Sequence, residues 1–386
     1  MRVFIQIYIV MIQRKIFKKV LSRMDPGKVV VIYGPRRVGK TTLLNQLSKE
    51  LNSDYLMVNG QERRVKRWLG SQDSLIMRNY LKDKKILLVD EAQYVDQIGL
   101  NLKILVDMMP EIKVVATGSS SFELANQVGE PLVGRKWQFI LYPLAQLELS
   151  LTEDQMQVES NLESRLIFGS YPEVVLTDSY ERKKDILDSI VDGYILKDLL
   201  VLENLKKEYK LIPLLKLLAF QIGKEVSLSE LSNNLNMSFH TVERYLYLLE
   251  KVFVIMRVGG FSRNLRKEVN KNSRYYFYDN GIRNAVIENF NDLSLRNDVG
   301  QLWENYLFME RLKKRAYIGP RAYCYFWRTY DKKEIDLIEE REGKLFGYEF
   351  KWSERKKTKP PKDWLKTYDN ASYKVINREN YSEFIT

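Results

Sequence analysis

Val29-Val30-Val31-Ile32-Tyr33-Gly34-Pro35-Arg36-Arg37-Val38-Gly39-Lys40-Thr41-Thr42 is the stretch on which the fold of the first third turns. Its first five residues are mostly β-branched and apolar on both faces, which reads as a short buried strand. From Thr41 onward, Leu43, Leu44, Leu47 and Leu51 recur on one stripe and predict a helix over 41–51. Between strand and helix, residues 34–41 have the spacing G-x-x-x-x-G-K-T. Glycines there let backbone N–H groups curl around an anion, and the helix N-terminus behind them adds partial positive charge. Lys40 reaches the β- and γ-phosphates of a nucleotide, the Thr41 hydroxyl ligates Mg²⁺, and Thr42 starts the helix. Gly34, Pro35, Arg36, Arg37, Val38, Gly39, Lys40, Thr41 and Thr42 are therefore the expected nucleotide-binding residues.

Downstream, Lys85-Ile86-Leu87-Leu88-Val89-Asp90-Glu91 is a second apolar run, ending in two acids. A strand of a parallel sheet that ends this way sets Asp90 at the edge where α/β proteins bind ligands. Asp90 suits the Mg²⁺ shell, and Glu91 is placed to polarise an attacking water. A third run, 114–117, ends in Thr117-Gly118-Ser119-Ser120-Ser121. Thr117 and Ser119 are its candidates for contact with the γ-phosphate or the water, and turn-forming serines are the competing reading. Strands alternating with helices from about residue 20 to 145 predict a doubly wound α/β domain.

Composition narrows the chemistry. The chain has 386 residues, 62 Lys+Arg against 50 Asp+Glu, one cysteine (Cys324) and one histidine (His240). A lone cysteine excludes an intramolecular disulfide and fits a reducing, cytoplasmic setting; neither a Cys/His zinc cluster nor a second histidine is available. Any metal is left to oxygen ligands, which favours Mg²⁺ and phosphate chemistry. The net charge of +12 points toward DNA, RNA or another polyanion. At the start, residues 1–12 are apolar but too short to span a bilayer, and Gln6 interrupts them. They read as a buried strand or a packed helix, and no membrane association is expected.

After Pro143 helical patterns take over, at 162–168 and 180–205, with the loop Gly169-Ser170-Tyr171-Pro172 between them. Residues 212–253 contain a short helix opened by Ser227 or Ser229, a turn at Asn236-Met237-Ser238 and a second helix over 239–251, the helix-turn-helix spacing. His240 and Arg244 share a face of that second helix. Gly259-Gly260 and the run 275–278 are expected to form a β wing, with Arg257, Arg263, Arg266 and Lys267 on it facing phosphates. A lid or interdomain packing module is the competing use of such a unit. The last segment begins near Asp298 with a helix over 301–314, followed by strands at 323–327, 334–338 and 345–350. A basic loop around Arg355, Lys356, Lys357 and Lys362 comes after them.

With these motifs in place the sequence resembles the AAA-type P-loop ATPases. More narrowly, it resembles a widespread prokaryotic family that joins such a domain to a C-terminal restriction-endonuclease-like region. The residues that carry the resemblance are 34–42, 87–93, 117–121, Gly134-Arg135 and 141–148, then 169–173, 327–336 and 349–351. It implies an α/β chain of four parts: an AAA-like P-loop domain over 1–148, a helical lid or linker over 149–208, a winged-helix domain over 209–295 and a restriction-endonuclease-like α/β domain over 296–386. ATP with Mg²⁺ is the implied cofactor pair. Arg135 is the implied γ-phosphate sensor, with a structural or nucleic-acid role as its alternative.

The last strands resemble the D-(x)n-E-x-K core of that nuclease-like fold through Asp336, Glu349 and Lys351. Glu349 and Lys351 share a strand face because side chains alternate with period two. Asp336 and Glu349 would hold a metal, Lys351 would orient water, and Glu304 matches the extra acid of such folds. Two functions follow. One is a Mg²⁺-dependent ATPase whose cycle controls a nucleic-acid-binding, nuclease-like module. The other is a regulatory nucleotide switch with an inactive C-terminal scaffold, working as a homo-oligomer or on a protein partner.

Overall fold

The computed structural model describes residues 12–51, 54–118, 131–195, 208–262, 272–329, 333–353 and 359–386. The readings made for residues 1–11 and 196–205, for Ser119, Ser120 and Ser121, for Arg263, Arg266 and Lys267, and for Arg355, Lys356 and Lys357 lie outside the described residues.

Five parallel strands form the first sheet: β1 (Val29–Tyr33), β2 (Tyr55–Asn59), β3 (Ile86–Asp90), β4 (Lys113–Gly118) and β5 (Lys136–Ile140), in the order β2-β3-β4-β1-β5. Alternation along β1 feeds two cores. Val30 and Ile32 pack with Leu43, Leu44 and Leu47 of the Lys40–Glu50 helix. Val29 and Val31 pack with Leu102 and Leu105 of the Ile98–Met108 helix on the other face. Burial on both faces is why these strands lack polar alternation. Because all five run the same way, Gly34, Asp90 and Thr117 meet at one edge. The insertion of β4 between β1 and β3 sets Thr117 between the other two.

The middle of the chain is mostly helical. Its helices include Gln155–Phe168, Tyr180–Ile190, Leu211–Phe220, Leu228–Leu235, Phe239–Lys251 and Asn280–Val286. Ser227 caps the fourth of these through Glu230 N–H, which settles the choice between Ser227 and Ser229. Asn236, at φ 51°, makes the turn, and Ser238 caps the next helix through Thr241 N–H. Parts read separately from sequence are joined here. Asn284 Nδ2 donates to the Leu166 and Ile167 carbonyls at 3.1 and 2.7 Å, fastening Asn280–Val286 to the end of Gln155–Phe168.

The run 275–278, expected as part of a wing, falls on a strand paired antiparallel with the one that leads to Gly259-Gly260, and residues 263–271 between them lie outside the described residues. Strand β8 (Ser273–Phe277) is the buried centre of an antiparallel sheet ordered β6-β8-β7, with β6 (Glu225–Val226) and β7 (Ile255–Val258). Tyr276 stacks on Phe308 of the Val299–Tyr317 helix with ring centroids 4.2 Å apart. An aromatic strand that gains such a partner gains more by packing inward than by projecting into water.

The C-terminal unit opens with the Val299–Tyr317 helix and continues through β9 (Tyr323–Arg328), β10 (Glu334–Arg341), β11 (Lys344–Phe350) and β12 (Ala371–Ile376). The sheet order is β12-β11-β10-β9, with only β11 and β12 parallel. Glu342 and Gly343, at φ 51° and 71°, make the two-residue turn between β10 and β11. Sequence reading had not anticipated β12, which returns through the Lys362–Thr367 helix. Among the described residues no helix is long and apolar enough to cross a membrane.

Candidate functional site

At the carboxyl edge of the first sheet, the loop from Gly34 to Gly39 wraps ahead of the Lys40–Glu50 helix. Gly34 is required: a Cβ there would come within 2.1 Å of the Leu141 carbonyl oxygen. Gly39, at φ 96°, turns the chain into the helix. Buried Lys40 donates from Nζ to the Gly34 and Pro35 carbonyls at 2.9 and 2.7 Å, so its ammonium lies across the mouth of the loop. Thr41 Oγ1 donates to Asp90 Oδ2 at 2.7 Å. Thr117, fully buried, donates to Asp90 Oδ1 at 2.6 Å and accepts from Glu91 N–H at 3.2 Å. Thr117 therefore orients Asp90 and the Glu91 backbone.

Glu91 stands at φ 50°, an uncommon backbone for a non-glycine residue, and its Oε2 accepts from Gln93 Nε2 at 2.5 Å. Gly60 makes room for this turn, since a Cβ there would meet the Glu91 carbonyl oxygen at 2.5 Å. Thr42 lies in the first helical turn with an exposed side chain. Arg36 Nη2 donates to the Tyr94 hydroxyl at 3.0 Å, and Arg37, at φ 62°, pairs with Glu173 at 3.4 Å. Motif 169–173 is thereby placed against the loop. The donor set fits a Mg²⁺ nucleotide: an ammonium and loop N–H groups for phosphate, a hydroxyl and a carboxylate as hard oxygen ligands.

Arg135 does not join this set. It precedes β5, and its carbonyl accepts Val29 N–H at the opposite end of β1 from Gly34. Five residues of strand, about 16 Å, separate that edge from the loop. Its guanidinium pairs with Asp107 at 2.5 Å. The γ-phosphate role within this chain is corrected, because strand starts and strand ends of a parallel sheet lie on opposite edges.

The C-terminal acids do converge. Leu337 pairs with Tyr348 across β10 and β11, so one step back Asp336 faces Glu349. Asp336 Oδ2 accepts Phe350 N–H at 2.8 Å, and Lys351 Nζ donates to Glu349 Oε1 at 2.5 Å. Glu349 Oε2 is buried with no hydrogen-bond partner among the described residues. The pairing of β10 with β9 shifts register between Ile335 and Ile338, the span that contains Asp336. Glu304 accepts from the Tyr276 hydroxyl at 2.7 Å.

Into this group comes a residue that sequence reading missed. Arg274 of β8, only 2% exposed, lies 2.9 Å from Glu334, 3.6 Å from Glu304 and 3.8 Å from Asp336, with its guanidinium over the Phe326 ring at 4.5 Å. Burial works against its charge, yet Tyr276 and the three carboxylates outweigh that and raise its pKa. Burial, with the Asp336 charge behind it, raises Glu349 to about 7; burial also raises Glu304 and Asp336. Among the described residues no three carboxylate, thiol or imidazole side chains stand at metal-holding spacing. The acids surround a guanidinium instead. Gly223 closes the other side, where a Cβ would meet Glu304 Oε1 at 2.5 Å.

The remaining sites fall as follows. His240 is 92% exposed, and Arg244 and Tyr247 are exposed on the same Phe239–Lys251 helix. Trp327 is core, against Trp364, and Arg328 pairs with Glu225 of the middle unit at 3.0 Å.

Residues 26–150 match the AAA domain family. The N-terminal unit is thus similar to AAA domains. Residues 159–293 and 299–383 match two domains of unknown function, DUF8612 and DUF4143. An uncharacterized protein of Methanocaldococcus jannaschii is 26% identical over 379 residues, covering 92% of this chain and 83% of that protein. An uncharacterized protein of Haemophilus influenzae is 26% identical over 389 residues, covering 95% and 93%. Replication initiator DnaA bound to AMPPCP and single-stranded DNA overlays with a TM-score of 0.31 at 17% identity, covering 61% of this chain and 86% of that one.

Proposed function

We propose that this protein is a Mg²⁺-dependent ATPase whose nucleotide cycle controls its C-terminal half, a module that contacts nucleic acid. The observation that carries the reading is the Thr41–Asp90–Thr117 chain beside Glu91, a phosphate loop joined to an acid pair by 2.6 and 2.7 Å hydrogen bonds. Lys40 and the loop N–H groups bind the phosphates. Thr41 and Asp90 hold the Mg²⁺, which when bound neutralises charge on the transferring phosphoryl group. Glu91 takes up the proton of the attacking water, and Thr117 keeps Asp90 and the Glu91 backbone in register. Nucleic-acid contact rests on the net charge of +12 and on the exposed Phe239–Lys251 helix with His240, Arg244 and Tyr247.

In the first reading the C-terminal unit hydrolyses phosphodiesters through Asp336, Glu349 and Lys351. The second, a regulatory switch with an inactive C-terminal scaffold, is favoured by Arg274: a guanidinium already balances the carboxylates that a divalent ion would need. The test is Mg²⁺- or Mn²⁺-dependent cleavage of single- and double-stranded DNA and RNA, with and without ATP. Wild type is run beside Asp336→Ala, Lys351→Ala and Lys40→Ala. Cleavage lost in the first two variants supports the nuclease reading. ATP hydrolysis without cleavage supports the switch. Nucleotide binding that survives Lys40→Ala removes the common premise.

A further inference from the structure

We infer that Arg14 is a positioning residue of the nucleotide loop and that, through Tyr317, it ties the loop to the helix that carries Glu304. The inference rests on the reading that this loop binds ATP.

Arg14 lies just ahead of the first sheet, 5% exposed, and each guanidinium nitrogen is used. Nη1 donates to the Val38 carbonyl at 2.6 Å, Nη2 to the Tyr142 carbonyl at 2.6 Å and the Tyr317 hydroxyl at 3.3 Å, and Nε to Glu148 Oε1 at 3.0 Å. Val38 belongs to the phosphate loop itself. Its carbonyl and the Gly39 N–H share one planar peptide and point in opposite directions. Holding the carbonyl toward Arg14 therefore turns the Gly39 N–H away from it, toward the side on which a phosphate is cradled. The loop contributes backbone donors whose aim decides affinity, and Arg14 sets the aim of one of them.

The second half of the inference is the route out. Tyr317 is the last residue of the Val299–Tyr317 helix, and its hydroxyl accepts from both Arg14 and Tyr142 N–H, the latter at 3.1 Å. One turn earlier Lys313 Nζ donates to the Leu144 carbonyl at 3.1 Å, and Glu310 accepts Gln146 N–H at 2.6 Å. This end of the helix is thus bonded to the segment leaving β5. Near the other end Asn305 bonds both backbone groups of Phe277 at 2.8 and 3.0 Å, and Glu304 meets Tyr276 and Arg274. Thirteen residues of unbroken helix span about 20 Å. A shift of Val38 on nucleotide binding has a rigid path to the acid cluster, through bonds with few alternative partners.

The test uses the full-length chain and a fluorescent non-hydrolysable ATP analogue with Mg²⁺, alongside steady-state ATPase kinetics. Loop aim acts equally on bound substrate and transition state, so Arg14→Ala should raise KM about tenfold or more with kcat within about threefold. Arg14→Lys should not rescue it, because an ammonium cannot span two carbonyls, a hydroxyl and a carboxylate. Tyr317→Phe keeps the ring in place and carries the test if Arg14→Ala fails to fold. It should raise KM about threefold or more. In wild type, the analogue should also change hydrogen–deuterium exchange of β8 and the Val299–Tyr317 helix, and Tyr317→Phe should abolish that change. Wild-type KM in both Arg14→Ala and Tyr317→Phe, with Lys40→Ala unable to bind, overturns the inference. Failure of wild type to bind the analogue overturns the ATP reading instead.

Discussion

Replacing Arg274 by methionine keeps most of the side-chain volume and removes the charge, so the loss reads the electrostatics of the C-terminal cluster directly. In the native structure the guanidinium lies 3.6 Å from Glu304 and 3.8 Å from Asp336, both largely buried, and 2.9 Å from Glu334, which is 47% exposed. Removing one partner of a buried ion pair costs about 3–5 kcal/mol. Glu334 adds little, because water screens it. Glu304 and Asp336 recover part of the loss by taking up protons, since burial already favours their neutral forms. Arg274→Met should therefore cost about 2–4 kcal/mol at pH 8 and clearly less at pH 5.

The sign follows from the direction of the shifts. A carboxyl whose folded pKa is raised contributes stability that is present at low pH and lost as pH rises through the folded value. Losing Arg274 raises the folded values of both acids further, which widens that loss. The assay is hydrogen exchange of β8 and β10 at both pH values, because a chain of several units does not melt as one. Equal protection of variant and wild type at pH 8 would refute the reasoning, as would a loss that does not change with pH. Excess Mg²⁺ adds a second outcome. A site that accepts it would regain about 2.7 kcal/mol at a hundredfold excess over Kd, which favours the nuclease reading; no recovery favours the scaffold.

Glu91→Gln should leave ATP binding intact and slow hydrolysis by about a hundredfold or more, measured as phosphate release under saturating ATP. Normal turnover would remove Glu91 as the residue that activates water. Glu250, on the Phe239–Lys251 helix, is raised to about 7 by burial, against which Arg257 and Lys251 act. The protein should lose stability as pH climbs from about 4.5 through 7, and Glu250→Gln should recover up to about 3 kcal/mol at pH 8 while changing little at pH 4. Parallel pH–stability curves for the two proteins would contradict the burial of that carboxyl.

The nucleotide loop was legible because its chemistry is local: strand, glycines, lysine, hydroxyl and helix follow one another without a break from Val29 to Glu50. Asp90 and Glu91 were legible for the same reason, as a buried run with acids at its end. Strand order was not, and it decides what reaches the loop. Arg135 adjoins a strand of the correct sheet, but at that strand's start, so it lands on the far edge. Thr117, singled out for the γ-phosphate or the attacking water, is buried and bonded to Asp90, a partner that only the strand order reveals. Asp336, Glu349 and Lys351 came from the resemblance to a D-(x)n-E-x-K core, with period-two alternation placing Glu349 and Lys351 on one face; the structure sets Asp336 opposite Glu349. Arg274 was not legible, because Ser273-Arg274-Tyr275 carries no motif and meets Glu304 only after two sheets have packed on one helix. Arg14 reads as one more basic residue until Val38, Tyr142, Glu148 and Tyr317 surround it.

Those two missed arginines share a property that bears on how the molecule works. Each is a buried charge where one part of the chain meets another, and so are Arg283 with Asp298 at 2.5 Å and, more exposed, Arg328 with Glu225. A hydrophobic seam of equal volume would be no less stable, since desolvating an ion pair offsets most of its attraction. What charged seams supply is selectivity. A guanidinium held by two carbonyls, a hydroxyl and a carboxylate tolerates few intermediate positions, whereas packed aliphatic side chains slide. The Val299–Tyr317 helix is gripped by such contacts near both ends, at Tyr317 by Arg14 and at Glu304 by Arg274. If a body held this way has discrete arrangements, as the proposed nucleotide control requires, a nucleotide that favours one of them moves the acid cluster with it. An active C-terminal site would then need Arg274 withdrawn, and an inactive one would present a surface that changes with the nucleotide. On either reading the informative residues are the arginines at the seams, outside the motifs that identify the domains.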